Sequence, residues 1–241
     1  MYRISVGHRE LTSTHRNARK HWTGFNRDKY EAAEETVAAF KRAGTDCCIF
    51  GSLGFKLLGV GCKPNDVDII VLDTKKSLEN LKEYLVKEHS QSRFYLVPSR
   101  NRKAKYRVLW YATRRGARVK VDILQPGEMS IPRFQATRIS QKIPPGRAGH
   151  GFNLPVAPVE LVLLLKLQGW DVHYKSHMPH LRKKEHEDVK QIRALLIKYK
   201  YQFDFDYLPK KFMDMAEAQV QEYVLKYPPS IGSWRKLTLY H

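Results

Sequence analysis

The chain has 241 residues, 43 lysines and arginines against 24 acids, a formal charge of +19, and 42% hydrophobic residues. This is a globular composition with enough length for one large domain or two small ones, which excludes collagen-like, low-complexity and disulfide-stapled architectures. The longest strongly apolar run, 158–167, is about half of a bilayer span, and MYRISVGHRE has no apolar signal core, so an intracellular protein, cytoplasmic or nuclear, with no membrane segment is expected.

The excess of positive charge points to a polyanionic partner, because each phosphate neutralised releases condensed counterions. Nucleic acid fits this charge better than a nucleoside triphosphate alone, which needs only a few cations.

Residues 1–27 carry Arg3, Arg9, Arg16, Arg19, Lys20 and Arg27 against Glu10 and show no apolar period, so they read as a basic, loosely docked arm. From residue 28, DKYEAAEETVAAFKRAG has acids first, bases last and Gly44 as a stop, which predicts a helix with Tyr30, Ala33, Val37 and Phe40 inward. Residues 45–50 form an apolar strand, and Gly51-Ser52 opens a short helix over 53–58. At such a turn, glycine admits a close approach and backbone N–H groups and the Ser52 hydroxyl can donate to phosphate.

A loop through Gly59, Gly61, Pro64 and Asn65 leads into a strand over 66–72, where Asp66 and Asp68 alternate with Val67 and Ile69. Residues two apart in a strand share a face, so the two carboxylates project together. Like charges held this way call for a divalent cation, and an oxygen-only site suits Mg²⁺.

A helix over 78–89 and a strand over 93–97 follow, then a hairpin of 105–112 and 117–124 turning at Arg114-Arg115-Gly116. Asp122 sits in the apolar run VKVDIL, where an unpartnered carboxylate is costly. No acid occurs between Glu88 and Asp122, a stretch holding Arg93, Arg100, Arg102, Lys103, Lys105, Arg107, Arg114, Arg115, Arg118 and Lys120. It reads as an electropositive rim, with Tyr95, Tyr106, Trp110 and Tyr111 as either core or base-stacking residues.

Residues 128–153 read as a Pro- and Gly-rich connection. A leucine-rich helix over 155–170 contains Lys166, which either snorkels to the surface or points into the cleft. His173, His177, His180 and His186 lack a cysteine or an HExxH frame and read as ordinary surface or phosphate-contacting histidines. A helix to about residue 200 has Val189, Ile192, Leu195 and Leu196 inward, and another is expected near 214–227.

Taken together, Gly51-Ser52 after an apolar strand, then Asp66-x-Asp68, then Asp122 in a second strand resembles the nucleotidyltransferase superfamily, the group sharing the DNA polymerase β palm-like fold. The resemblance covers residues 47–124 and more weakly extends to 196. It implies an α/β (α+β) fold, a mixed sheet flanked by helices and followed by a helical C-terminal part. The implied divisions are a basic arm at 1–27, a catalytic domain at 28–127 and a mainly helical domain at 128–241. Lys166 on a leucine-rich helix and Asp188 four residues after Lys184 look like the C-terminal region of toxin-type and abortive-infection-type nucleotidyltransferases, where such a lysine and aspartate belong to the active site. The helices are more widely spaced here.

What the resemblance implies chemically is transfer of a nucleoside monophosphate from an NTP to an acceptor, releasing pyrophosphate. Asp66, Asp68 and Asp122 would hold two Mg²⁺ ions, with Mn²⁺ as a substitute, while Gly51, Ser52 and Lys166 would attend the phosphates. The charge favours RNA, a tRNA-like 3′ end above all, as acceptor. The alternatives are transfer to a protein or small-molecule hydroxyl, and a non-catalytic RNA-binding protein that retains the fold.

Overall fold

The computed structural model describes residues 10–88, 92–99, 106–144, 152–200 and 202–240, with side chains from residue 26 onward. Arg3 and Arg9 of the expected arm, Arg100, Arg102, Lys103 and Lys105 of the acid-free stretch, and residues 145–151 of the connection lie outside these.

The chain begins with the long helix α1 (Glu10–Arg42), followed by β1 (Cys47–Phe50), α2 (Gly51–Leu57), β2 (Val67–Val71), α3 (Leu78–Lys87), β3 (Phe94–Pro98), β4 (Arg107–Ala112) and β5 (Arg118–Leu124). Two single 3₁₀ turns precede β6 (Ser140–Lys142) and β7 (Leu154–Val156). The remainder is helical: α4 (Val159–Lys175), α5 (Pro179–Arg182), α6 (Glu185–Tyr199), α7 (Lys210–Lys226) and α8 (Ile231–Arg235).

The seven strands among the described residues form one mixed sheet in the order β3-β4-β5-β2-β1-β7-β6. At its centre β2 runs antiparallel to β1 and parallel to β5. Ile69, Ile70 and Val71 of β2 are all fully buried, as expected of a strand covered on both faces. In β5 the pattern alternates: Val119, Val121 and Ile123 are buried, whereas Lys120 and Asp122 take the other face. α1 lies against β1, β5 and β7, placing Tyr30, Ala33, Val37 and Phe40 in the core.

Three expectations change. The helix expected from Asp28 starts at Glu10, because nothing in 10–27 stops a helix except Gly24, which costs only about 1 kcal/mol against alanine. The helix expected from residue 155 starts at Val159: proline holds the preceding residue extended, and 154–156 instead pair with β1 through Ile49 and Val156. The connection after residue 128 therefore contributes β6 and β7 to the same sheet, which takes strands from both sides of that position.

α4 is the hub of the helical part and packs against α2, α6 and α7. Trp170, fully buried, meets Tyr174, Tyr223 and Tyr227 in stacked and edge contacts. The C-terminal end of α6 is tied to the turn after α2, where the Tyr199 hydroxyl donates to the Leu58 carbonyl at 3.1 Å and Lys198 Nζ to the Gly59 carbonyl at 3.2 Å. These bonds fix α6, and with it Asp188, relative to the sheet.

Candidate active site

Register brings the carboxylates together. In the parallel pairing of β2 with β5, Val67 lies opposite Val121, Asp68 opposite Asp122 and Ile69 opposite Ile123. Side chains of such partners point to the same face, so the buried valines and isoleucines force both aspartates onto the opposite one. Asp66, at the entry to β2, joins them. One carboxylate oxygen from each of the three lies within 4.8 Å of the others, all half-buried.

Gly51 stands directly over this cluster. It has a φ of +60°, and a Cβ at this position would collide with Asp68 Oδ2. The turn from β1 into α2 is thus glycine because the Asp68 carboxylate occupies the space of a side chain. Ser52 is half-exposed one position further, and its backbone carbonyl accepts from Cys62 Sγ at 3.1 Å. Gly51 lines the cavity in front of the carboxylates; Ser52 does not.

That cavity has a volume of about 1140 Å³. Asp66, Asp68, Asp122, Lys120 and Phe50 line its sheet side; Lys82, Tyr106 and Arg107 border it on one flank, and Lys166, His173 and Lys184 on the other. Its volume exceeds that of a usual small-molecule pocket, about 300–1,000 Å³.

Charge is balanced locally. Burial, then the neighbouring Asp66 and Asp122 carboxylates, push the Asp68 carboxyl up to about 8, against the pull of Lys166 and Lys120. Lys120 Nζ lies 2.6 Å from Asp122 Oδ2. Lys29, buried on α1, is held below its ordinary value by burial, opposed by Asp28 and Asp66. Three carboxylates whose oxygens lie within 4.8 Å of one another, with oxygen as their only donor, suit a hard divalent cation such as Mg²⁺ and fit no soft metal.

Lys166 does not snorkel. Its ammonium pairs with Asp188 Oδ1 at 3.2 Å, stands 5.6 Å from the centre of the buried Phe55 ring, and faces the cavity. Asp188 is buried on the first turn of α6 and binds His173 Nδ1 through its other oxygen at 2.5 Å. The structure therefore joins Lys166, Asp188 and His173 in one network beside the carboxylates. The sequence places Lys120 only within the basic rim and His173 only among surface or phosphate-contacting histidines, with no particular partner for either. The available signals were spacing alone: His173 follows Lys166 by two helical turns, and Lys120 precedes Asp122 by one strand repeat.

The expected basic rim is thinner than its composition suggests. Arg107 is held by Glu79 and Glu83, the Arg114 guanidinium by Glu35 while its backbone N–H donates to Glu31, and Lys120 by Asp122. Tyr111 is a core residue whose hydroxyl donates to Glu31 at 3.2 Å, whereas Tyr106 is 55% exposed at the cavity. Arg115 and Arg118 of that rim are exposed and form no ion pair among the described residues, and a second exposed basic run, Arg182 at the end of α5 followed by Lys183 and Lys184, leads into α6, with Arg182 acting on Glu185. The cysteines at 47, 48 and 62 are buried and unpaired, and burial raises their thiols, Cys62 to about 11 and Cys47 to about 12. No described helix is long and apolar enough to cross a membrane.

The mixed sheet, the glycine turn after its first strand and the helical part that follows make this a nucleotidyltransferase-type fold. An antigenic nucleotidyltransferase-like protein from Paracoccidioides brasiliensis superposes with a TM-score of 0.59 at 16% identity, covering 83% of this chain and 90% of its own. Two structures of the antibiotic-resistance factor ANT(2'')-Ia, one in complex with adenylyl-2''-tobramycin, are more distant, with TM-scores of 0.41 and 0.42 and identities of 12% and 13%. They cover 81% and 78% of this chain and 90% and 95% of their own. No protein-family model matches the sequence, and no curated protein does.

Proposed function

We propose that the protein is a metal-dependent nucleotidyltransferase that moves a nucleoside monophosphate from an NTP to RNA, with release of pyrophosphate. The observation that carries this reading is the convergence of Asp66, Asp68 and Asp122 within 4.8 Å beneath Gly51, at the wall of a cavity of about 1140 Å³.

In this reading Asp66, Asp68 and Asp122 hold the divalent ion or ions. Bound Mg²⁺ supplies Lewis-acid activation of the attacking hydroxyl and of the α-phosphate. Asp122 takes the proton from the acceptor hydroxyl as its oxygen bonds to the α-phosphorus. The bond from the α-phosphorus to the bridging oxygen breaks, and both electrons leave with pyrophosphate. Lys166, held by Asp188, neutralises the charge that develops on the leaving group. Gly51, on the cavity wall, presents its backbone donor to the outer phosphates, and Tyr106 offers a face on which a base can stack.

RNA as acceptor is supported by the chain's +19 charge and by the exposed Arg182-Lys183-Lys184 cluster, whose last residue reaches the cavity. The test is incubation with each α-labelled NTP, Mg²⁺ and total RNA. Label that migrates with RNA and disappears on ribonuclease treatment supports the proposal. Label that survives ribonuclease and is removed by protease would assign a protein hydroxyl as acceptor instead.

A further inference from the structure

The carboxylate cluster already contains a cation of the chain's own. Lys120 and Asp122 sit on the same face of β5, and Lys120 Nζ reaches Asp122 Oδ2 at 2.6 Å on the wall shared with Asp66 and Asp68. The other nearby ammonium, Lys166, has its own partner in Asp188. We infer that Lys120 is a tethered counter-cation of the triad, which holds the carboxylates together before a divalent ion binds and leaves Asp122 when that ion and a triphosphate arrive. This rests on the reading of the triad as a divalent-cation site.

The physical reasons are three. Carboxylates this close repel one another unless a positive charge lies among them. An ammonium fixed two residues away on the same strand is present at high effective concentration and occupies an oxygen that an entering ion needs. A lysine is a compact charge on a flexible stem, so it can swing off without disturbing β5, where the planar fork of arginine would not adapt as easily. A triphosphate in the cavity offers the released ammonium a new anion. Binding of ion and nucleotide is thereby coupled in the favourable direction, because each improves the site for the other.

The experiment is a titration of free Mn²⁺, followed by electron paramagnetic resonance, into the full-length wild type, Lys120→Met, Lys120→Gln and Lys120→Arg. Removing the ammonium is expected to tighten Mn²⁺ binding about tenfold in the methionine and glutamine variants, while the arginine variant stays at or below wild type. In EDTA the two neutral variants melt earlier than wild type and gain more from added Mn²⁺. Equal Mn²⁺ affinity in wild type and in whichever neutral variant folds would overturn the inference and leave Lys120 an ordinary ion pair. If no form of the protein binds Mn²⁺, the metal reading itself falls and the inference with it. Tighter Mn²⁺ binding in the variants without any nucleotide transfer by wild type would uphold the role of Lys120 and count against the proposed reaction alone.

Discussion

The Asp68 carboxylate lies across the α-carbon of Gly51: a side chain there would collide with Oδ2 and place its Cβ 2.8 Å from Cγ, at a backbone φ of +60°. One residue thus sets both the turn that opens α2 and the direction of the carboxylate. Gly51→Ala is expected to displace Asp68, lowering transfer at least 100-fold. Backbone strain of this kind costs on the order of 1–3 kcal/mol, and the melting temperature should drop by several degrees. Thermal melts beside Mn²⁺ titrations check this; a variant that binds Mn²⁺ like wild type would show that the contact is not needed.

Asp68 also sets a pH dependence. Its carboxyl titrates near 8 in the metal-free protein, raised by burial and then by Asp66 and Asp122, whereas the unfolded chain releases this proton near 4. The native state therefore holds the extra proton between these values, and its stability must fall as pH rises from about 4 to about 8. In EDTA the melting temperature should decline over that window more steeply in wild type than in Asp68→Asn. Saturating Mg²⁺ should remove most of the difference. Melts at pH 5 to 9 decide it, and parallel slopes in wild type and variant would contradict the assignment.

The buried network beyond the triad makes a different demand. Asp188 satisfies Lys166 and His173 together. Asp188→Ala should cost about 3 kcal/mol, as for other buried pairs broken from one side. Lys166→Met leaves Asp188 its bond to His173, so its stability loss should be smaller while the KM for the triphosphate rises. Denaturant unfolding and steady-state kinetics on both variants separate the two effects, and equal stability losses would argue against shared anchoring by His173.

The exposed Arg182, Lys183 and Lys184 should act on affinity alone. Changing all three to alanine is expected to leave the melting temperature within about 2 °C of wild type, since exposed surface charges contribute little to stability. RNA affinity should fall, and the slope of log affinity against log salt should shrink by up to about 2, given ~0.7 per single-strand phosphate contact. Fluorescence anisotropy at several salt concentrations measures both. An unchanged slope would place the RNA elsewhere.

Much of this was legible in the sequence because the informative patterns are local. Asp66-x-Asp68 flanked by valine and isoleucine fixes a shared face, and VKVDIL places Asp122 in a strand. That Asp122 pairs in register with Asp68 is a long-range fact, which only the assembled sheet supplies. Residues 155 and 156 read as helix because a short apolar run before Pro158 has no period of its own, and only pairing with Ile49 makes it a strand. Asp28 looked like a helix start since acids favour first turns, yet α1 passes through it. His173 and Lys120 were hidden for a common reason: each acquires its role from one partner, Asp188 or Asp122, and composition alone marks them as ordinary surface bases.

The most direct measurement is a paired labelling reaction with Mg²⁺ and total RNA, using triphosphates labelled at either the α- or the γ-phosphate, for wild type and for Asp122→Asn. Nucleotidyl transfer requires that wild type place α-label but no γ-label on RNA, and that Asp122→Asn, with an unchanged circular dichroism spectrum, place neither. γ-Label on the RNA, or undiminished α-labelling by the variant, would contradict it.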